Sequence, residues 1–470
     1  MLQKHYPLAV IGKSYLSLIY GIELLRYFDR ILLLDDDRLS FGDLYQNGLT
    51  EMDRSFLKTF GQDRNIEELK EGQFLRPSPY ILHSAGTEIL LGRSPWENIR
   101  ELTRKFYDLF PYDFLFLDQR KSEEVKDEAE KGDILGQEEL NKDYHLFCER
   151  LGLNGLRFKS IENFTLQYLM GHCPDSLKML YRLFAKQVNE NPEVAKYFLY
   201  FGRALFHKKL SSSYTELELF HFFICIIGPH YELEVDSLSQ CLSREFTQRG
   251  GHYKEAQVRE WKFYKRNPWS IELSSFEGII HPQKISFLGA HPTGLPLKVE
   301  YPGNTFHSIH FEVLCNDERI FQMSENSEAS FHLFGDQLSL GTDFPFCKFV
   351  FKDSRIFGQF LYREKKGSKL EFYKDSLKKK LSQHLGSLFP GIEDSIEHFH
   401  LNKGREVFMD QSDVYIAPDM VKLKQVGLFD FSIPTVNRKL KNVYYYGPLK
   451  SGPLGVFGQL MEIKETPKYQ

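Results

Sequence analysis

The sequence predicts an α/β fold in two parts: a discontinuous domain that opens with a parallel βαβ unit, and a second α+β domain with a helical insert and an antiparallel sheet. Residues 6–34 contain a short apolar strand, a tight turn, an amphipathic helix and a second apolar strand. Apolar residues recur at helical spacing over 160–229. Short alternating strands separated by Gly, Asn and Asp follow over 297–364, which is typical of an antiparallel sheet.

The composition is that of a globular protein with enough chain for two sizeable cores, since 470 residues are 42% hydrophobic and 26% charged. Basic and acidic residues nearly balance, and the net charge of −4 provides no bulk attraction to nucleic acid. We therefore expect no nucleic-acid partner. The six cysteines form no C-x-x-C pair, so the sequence predicts neither a zinc site nor a disulfide framework and favours a reducing compartment.

The sequence also predicts a cytoplasmic protein without a transmembrane segment. Its first residues lack the charged and apolar regions of a signal peptide. The most apolar segment, Leu219 to Gly228, is interrupted by His221 and is shorter than the ~20 residues that span a bilayer. It predicts a buried helix, which would make peripheral contact with a membrane only if it were exposed.

The first unit carries the pattern of a Rossmann-like dinucleotide site. We predict its elements as a strand over 6–11, a helix over 15–28 and a strand over 30–34. Gly12 lies where such a site needs a glycine for the tight turn, and Ser14 and Ser17 lie where it has its second and third glycines. Asp35 ends the second strand, where a carboxylate accepts hydrogen bonds from ribose hydroxyls. The alternative is a plain βαβ unit capped by serines, with its aspartates facing water.

The remaining elements are predicted from the same periodicities. They are a helix over 238–248, a Gly250-Gly251 turn, strands near 257–261, 270–273, 278–281 and 284–288, a helix over 374–388 and a final strand over 442–446. The final strand runs into a glycine-rich turn, which is a natural place to stabilise negative charge if a helix begins there.

This order of elements resembles the phytoene desaturase and flavin amine oxidase group of FAD-dependent oxidoreductases. The residues that carry the resemblance are Val10 to Asp35, Leu242 to Val258 and Asn442 to Leu460. The resemblance implies FAD as cofactor. The residues implied to bind it are Gly12, Ser14, Ser17 and Asp35 at the ADP part, Val258 at the adenine, and Gly447, Gly455, Val456 and Gly458 against the flavin.

The function implied by this resemblance is hydride transfer from a hydrophobic small molecule to FAD. Two alternatives stay open: a non-catalytic binding protein that has lost FAD, and a flavin-dependent isomerase or mutase. The first is favoured by Ser14, Ser17 and Pro448, which stand where the group has glycines and an acidic residue.

No catalytic acid or base is predicted, because the cofactor carries most of the chemistry of hydride transfer. His307 and His310 fall on opposite faces of a predicted strand, and His398 and His400 share a face without further ligands. We therefore predict no metal site.

The domain boundaries follow from the same order. An FAD-binding domain is predicted from residues 1–60, 236–290 and 400–470, and a substrate domain from 61–235 and 291–399. The many Phe and Tyr residues would supply apolar walls for the substrate.

Overall fold

The protein was studied as a computed structural model. The residues described are 5–12, 14–35, 49–84, 87–106, 110, 136–157, 165–192, 194–195, 216–274, 278–288, 306–316, 329–334, 347–352, 354–363, 374–407 and 442–446.

These residues form helices and strands in comparable proportion. The helices are α1 (Tyr15–Leu24), α2 (Glu51–Arg64), α3 (Glu67–Glu71), α4 (Pro95–Lys105), α5 (Gln137–Arg157), α6 (Leu166–His172), α7 (Asp175–Glu190), α8 (Glu216–Ile227), α9 (Val235–Gln248) and α10 (Lys374–Leu388). The strands are β1 (His5–Ile11), β2 (Ile31–Asp35), β3 (Leu49–Thr50), β4 (Leu75–Pro77), β5 (Tyr80–Ser84), β6 (Thr87–Leu91), β7 (His230–Leu233), β8 (His252–Glu255), β9 (Val258–Tyr264), β10 (Asn267–Leu273), β11 (Ile279–Leu288), β12 (Phe306–Cys315), β13 (Phe331–Phe334), β14 (Cys347–Lys352), β15 (Arg355–Arg363), β16 (Ile396–Val407) and β17 (Val443–Tyr446).

The first sheet is parallel at its centre and confirms the predicted Rossmann-like α/β class. Its parallel strands lie in the order β8-β2-β1-β11-β17. This is the order of the dinucleotide-binding α/β folds, with β1 central and the next strand in sequence beside it. All five residues of β2 are buried, as expected for a strand with both faces covered. α1 connects β1 to β2 and is shorter than predicted, since it ends at Leu24 rather than at residue 28.

Two features of this sheet differ from the sequence expectation. The strand β8 was missed, because its segment His252–Glu255 is polar and follows two glycines directly. The strands predicted near 278–281 and 284–288 are one strand, β11. Its first residues pair antiparallel with β10, and the rest pairs parallel with β1. Pro282, which cannot donate a hydrogen bond to a ladder, lies within this strand and pairs with Tyr6.

The second sheet confirms the predicted antiparallel sheet and extends it. Its order is β16-β12-β15-β14-β13-β5-β6, and the pair β13 and β5 is parallel. The hairpin β5–β6 thus comes from near residue 85, far before the predicted sheet segment. α10 has the predicted bounds, and its residues Leu377, Leu381 and Leu385 pack on one face of this sheet with Phe349 and Phe360. β16 crosses residue 400 and pairs with β12.

The helical block contacts the β5–β6 hairpin through α4, which packs against β6. α8 is buried among α4, α6 and α7, and Phe222, Phe223 and Ile224 have no exposed surface. The apolar segment from Leu219 is therefore core, as its sequence predicted, and not a membrane contact. Among the described residues, no helix combines the length and apolarity needed to cross a membrane.

Candidate functional site

The carboxyl ends of the parallel strands meet at one edge of the first sheet, where open α/β folds bind their ligands. Ile11 at the end of β1 lies beside Leu34 of β2. The backbone N–H of Gly12 donates to the carbonyl of Leu34 at 3.1 Å, so the turn begins directly at this edge. Asp35 is the next residue of β2. The structure thus places Gly12 and Asp35 side by side, although they are 23 positions apart in the sequence.

Ser14 closes the turn by capping α1. Its backbone is extended, with φ −92° and ψ 160°, and its Oγ accepts from the backbone N–H of Ser17 at 3.2 Å. The two hydroxyls are also 3.2 Å apart. Ser17 is fully buried in the first turn of the helix. Ser14 therefore stabilises the N-terminus of α1 as an ordinary N-cap residue, by accepting from the backbone N–H of Ser17.

Asp35 is held by a tyrosine that sequence reasoning missed. Only 4% of Asp35 is exposed, and its Oδ2 accepts a hydrogen bond from the Tyr253 hydroxyl at 2.8 Å. Burial, followed by this hydrogen bond to Asp35, raises the pKa of Tyr253 well above its usual range. The hydroxyl thus stays protonated and able to donate. Tyr253 lies on β8 opposite Leu33, and the Gly250-Gly251 turn before it was the available signal.

Val258 lies close to the same edge. The N–H of Ala256 donates to the carbonyl of Asp35 at 3.0 Å, so the chain leaves β8 directly beside Asp35. Val258 then begins β9 and is buried. Residues from three distant segments, Gly12, Asp35 and Val258, are thereby brought to one edge of the sheet.

The predicted flavin-side residues Gly447, Gly455, Val456 and Gly458, together with Pro448, lie outside the described residues. The strand before them is described. β17 pairs in parallel with β11, and Tyr446 lies beside Leu288, one residue beyond the Phe287 that pairs with Ile11. The chain therefore enters the predicted glycine-rich segment at the same edge as Gly12.

The side chain of Ser14 determines how closely a phosphate could approach the backbone at this edge. Ser14 stands at the position where a second glycine lets backbone approach a pyrophosphate. Its Oγ accepts from Ser17 N–H. When the Ser17 hydroxyl donates to the same Oγ, the Ser14 hydroxyl proton is left for a phosphate oxygen at the helix N-terminus. The residues present thus fit a phosphate contact through a hydroxyl.

The other candidate groups give no ligand cluster. Within the described part of the chain, no set of three His, Cys, Asp or Glu side chains is arranged to hold a metal ion. All six cysteines are buried, and none of them is in a disulfide. The rings of His398 and His400 stack at 6.2 Å on one face of β16, as their spacing predicted. Burial lowers the pKa of His310, and the side chain of His307 lies outside the described residues.

No family model and no curated protein matches the sequence. Solved structures do match. An oxidoreductase from Methanosarcina mazei is 9% identical, with a TM-score of 0.50 over 98% of this chain and 99% of that chain. The two chains share a fold. An L-proline dehydrogenase from P. horikoshii is 10% identical, with a TM-score of 0.44 over 98% of this chain and 92% of that chain. A glycerol-3-phosphate dehydrogenase from Bacillus halodurans, solved with FAD, is 11% identical, with a TM-score of 0.38 over 86% of this chain and 57% of that chain.

At 9% identity, the likeness to the Methanosarcina mazei oxidoreductase establishes the common architecture over nearly the whole of both chains. Matches with TM-scores below 0.5 add nothing to it.

Proposed function

We propose that this protein is an FAD-dependent oxidoreductase. One observation carries the proposal: the start of α1, the turn at Gly12 and the carboxylate of Asp35 meet at the carboxyl edge of a parallel sheet with the dinucleotide-binding strand order. The fold shared with a solved oxidoreductase supports it.

The proposed contacts follow from the positions at this edge. The pyrophosphate would lie against the turn between Gly12 and Ser14, where the N-terminus of α1 favours negative charge. Asp35 would accept from the ribose hydroxyls with one oxygen while Tyr253 fixes the other. The backbone near Val258 would face the adenine. Gly447, Gly455, Val456 and Gly458 are proposed for the flavin end on the resemblance alone.

The chemistry divides between cofactor and protein. FAD, when bound, supplies the hydride acceptor. The chain's part is to hold the cofactor at this edge, orient a hydrophobic substrate and exclude water from it. We propose that substrate contacts come from the part of the chain that contains the second sheet, in line with the predicted division into 61–235 and 291–399.

The test is flavin retention by three serine or glycine variants of the full chain. Ser14→Gly removes the hydroxyl that is proposed to donate to the phosphate, so we expect weaker FAD binding. An N-cap serine changed to glycine costs only a few tenths of a kcal/mol, so the fold is retained. Ser94→Gly is the matched control, because Ser94 caps α4 in the same way and lies outside the proposed site. Gly12→Val should abolish retention by adding a side chain at the turn.

The measurement is the visible absorbance that stays with the protein after desalting, together with FAD titration of the colourless form. The proposal predicts the highest flavin affinity for wild type and Ser94→Gly together, a lower affinity for Ser14→Gly and the lowest for Gly12→Val. A protein that neither retains FAD nor is stabilised by it against heat, with Ser14→Gly no different, is a binding protein without flavin and refutes the proposal.

A further inference from the structure

A second surface lies at the tip of the hairpin formed by β9 and β10. We call residues 264–269 the hairpin tip. Tyr264 pairs with Asn267, so Lys265 and Arg266 form a two-residue turn between the strands. Tyr264 is 59% exposed and Trp269 is 58% exposed, and their ring centroids are 5.9 Å apart. Two large aromatic rings thus stand in solvent beside two cationic side chains.

The turn is built from residues that its backbone disfavours. Lys265 has φ 47° and Arg266 has φ 73°, so both central residues are left-handed, as in a type I′ turn. Such turns strongly prefer Asn-Gly or Asp-Gly, since other residues meet a steric penalty there. Two cations therefore occupy this position at the expense of local stability. Backbone strain of this kind is concentrated at functional sites, where a side chain is needed for binding rather than for stability.

Trp269 is directed outward by a second irregularity. The ladder pairs Pro268 with Phe263 and Ser270 with Lys262, so the register shifts at Trp269. Bulges of this kind re-aim a side chain away from the sheet. The carbonyl of Trp269 accepts from His281 Nδ1 at 2.9 Å, which fixes the backbone that presents the indole. The register shift and this hydrogen bond thus fix the backbone conformation in which the Trp269 side chain is exposed.

The charges separate along the hairpin. Towards its base, Arg259 and Lys262 form ion pairs with Glu272 at 3.4 and 3.3 Å, and Lys262 also reaches Glu260. At the tip, no carboxylate of the described residues lies within ion-pair distance of Lys265 or Arg266, and the Lys265 ammonium lies 5.4 Å from the centre of the Tyr264 ring. The hairpin is therefore neutralised at its base and cationic only where its aromatic rings are exposed.

We propose that the hairpin tip docks the protein on an anionic lipid bilayer. Tryptophan and tyrosine suit the boundary of headgroups and acyl chains because one end of each ring system is polar. Lysine and arginine attract the negative surface of an anionic leaflet. A stable protein interface buries about 800 Å² on each partner, which two rings on a narrow tip do not supply. Insertion of two aromatic rings into a lipid headgroup region, next to two cations, does not require an interface of that area.

Trp269 and the candidate cofactor site lie towards opposite ends of the strand β1. Trp269 contacts His281, whose ring stacks on that of His5 at 5.0 Å. His5 begins β1, and Gly12 follows the end of the same strand. Trp269 therefore lies beside the amino ends of β1 and β11, whereas Gly12 follows the carboxyl end of β1.

The test is co-sedimentation of the full chain with phosphatidylcholine vesicles, with and without phosphatidylserine. Changing both turn residues, Lys265→Asn with Arg266→Gly, removes both charges and installs the residues that the turn prefers. We expect unchanged or higher thermal stability and a loss of binding of about fivefold for each cation. Trp269→Ala should weaken binding about tenfold. Leu153→Ser, which changes an exposed apolar residue on α5, should bind like wild type.

Tryptophan emission provides a second readout. We expect a blue shift when phosphatidylserine vesicles are added, absent in Trp269→Phe, because Trp96 and Trp261 are already wholly or partly buried. The proposal is overturned if the wild-type protein does not bind phosphatidylserine vesicles. It is also overturned if the variant with Lys265→Asn and Arg266→Gly binds them as tightly as wild type does. It is equally overturned if the tip variants abolish binding to an acidic protein or RNA while vesicle binding is unchanged.

Discussion

Two buried histidines make the folded protein sensitive to mild acid. His332 on β13 and His230 on β7 are each 3% exposed. Burial, followed by the charge of His83, lowers the pKa of His332 to about 3, and burial, followed by the Lys348 ammonium, lowers the pKa of His230 to about 3. Both are neutral in the folded protein at pH 5, whereas the unfolded imidazoles bind protons below about 6.5.

The size of the effect follows from these values. A folded pKa below the unfolded one means that the stabilisation is present above about pH 6.5 and is lost progressively as the pH falls towards 3. Between pH 7 and pH 5 each histidine costs about 2 kcal/mol of unfolding free energy, so the pair costs about 4 kcal/mol. His83, whose pKa burial also lowers, acts in the same direction.

Urea unfolding of the full chain near pH 7 and near pH 5 measures this loss. His332→Gln keeps a hydrogen-bonding side chain beside His83 and should reduce the pH-dependent loss by about 2 kcal/mol, as should His230→Gln. His172→Gln, at the exposed end of α6, is the control for replacing a surface imidazole by Gln. Equal pH dependence in wild type and both buried-site variants would show that these imidazoles titrate normally in the folded protein.

Further substitutions test the packing around α1 and on the surface of α6. Glu23 accepts from Arg64 Nε at 2.5 Å with both side chains buried, so Glu23→Gln should cost about 3 kcal/mol in urea unfolding; a loss below about 1 kcal/mol contradicts this. A Cβ at Gly251 would lie 2.4 Å from the ring of Phe246, so Gly251→Ala should destabilise by about 1–3 kcal/mol. Gly171 on α6 has open space, and Gly171→Ala should instead stabilise by about 0.5–1 kcal/mol; a melting temperature that moves the other way refutes the packing described.

The fold was predictable where local pattern and tertiary context agree. The first βαβ unit, α10 and the alternating strands carry strong periodicity, and all were found. β8 was not, because its residues pair with β2 through backbone groups that polar side chains do not reveal. The same applies to the continuity of β11 through Pro282, which depends on neighbouring strands rather than on its own sequence.

In the candidate site too, residues within one local motif could be predicted from the sequence, whereas contacts between distant segments could not. Gly12, Ser14 and Asp35 were predicted as site residues from their spacing, and the structure brings Gly12 and Asp35 together at one edge of the first sheet. The role of Tyr253 could not be identified, because it arises from a pairing between residues 218 positions apart. The hairpin tip was missed as well: a Lys-Arg turn is contrary to local preference, and the bulge at Trp269 exists only in the register of two strands.

The pairing of β1 with β11 has a consequence for biosynthesis. His5 meets His281, so the first apolar strand leaves the ribosome roughly tens of seconds before its central neighbour, at about 5–20 residues per second. During that interval one side of β1 has no permanent partner, and unpaired apolar edges are prone to aggregate. Chaperone occupancy of nascent chains should therefore persist until the segment 279–288 has emerged, and C-terminal truncations before residue 279 should accumulate as insoluble protein.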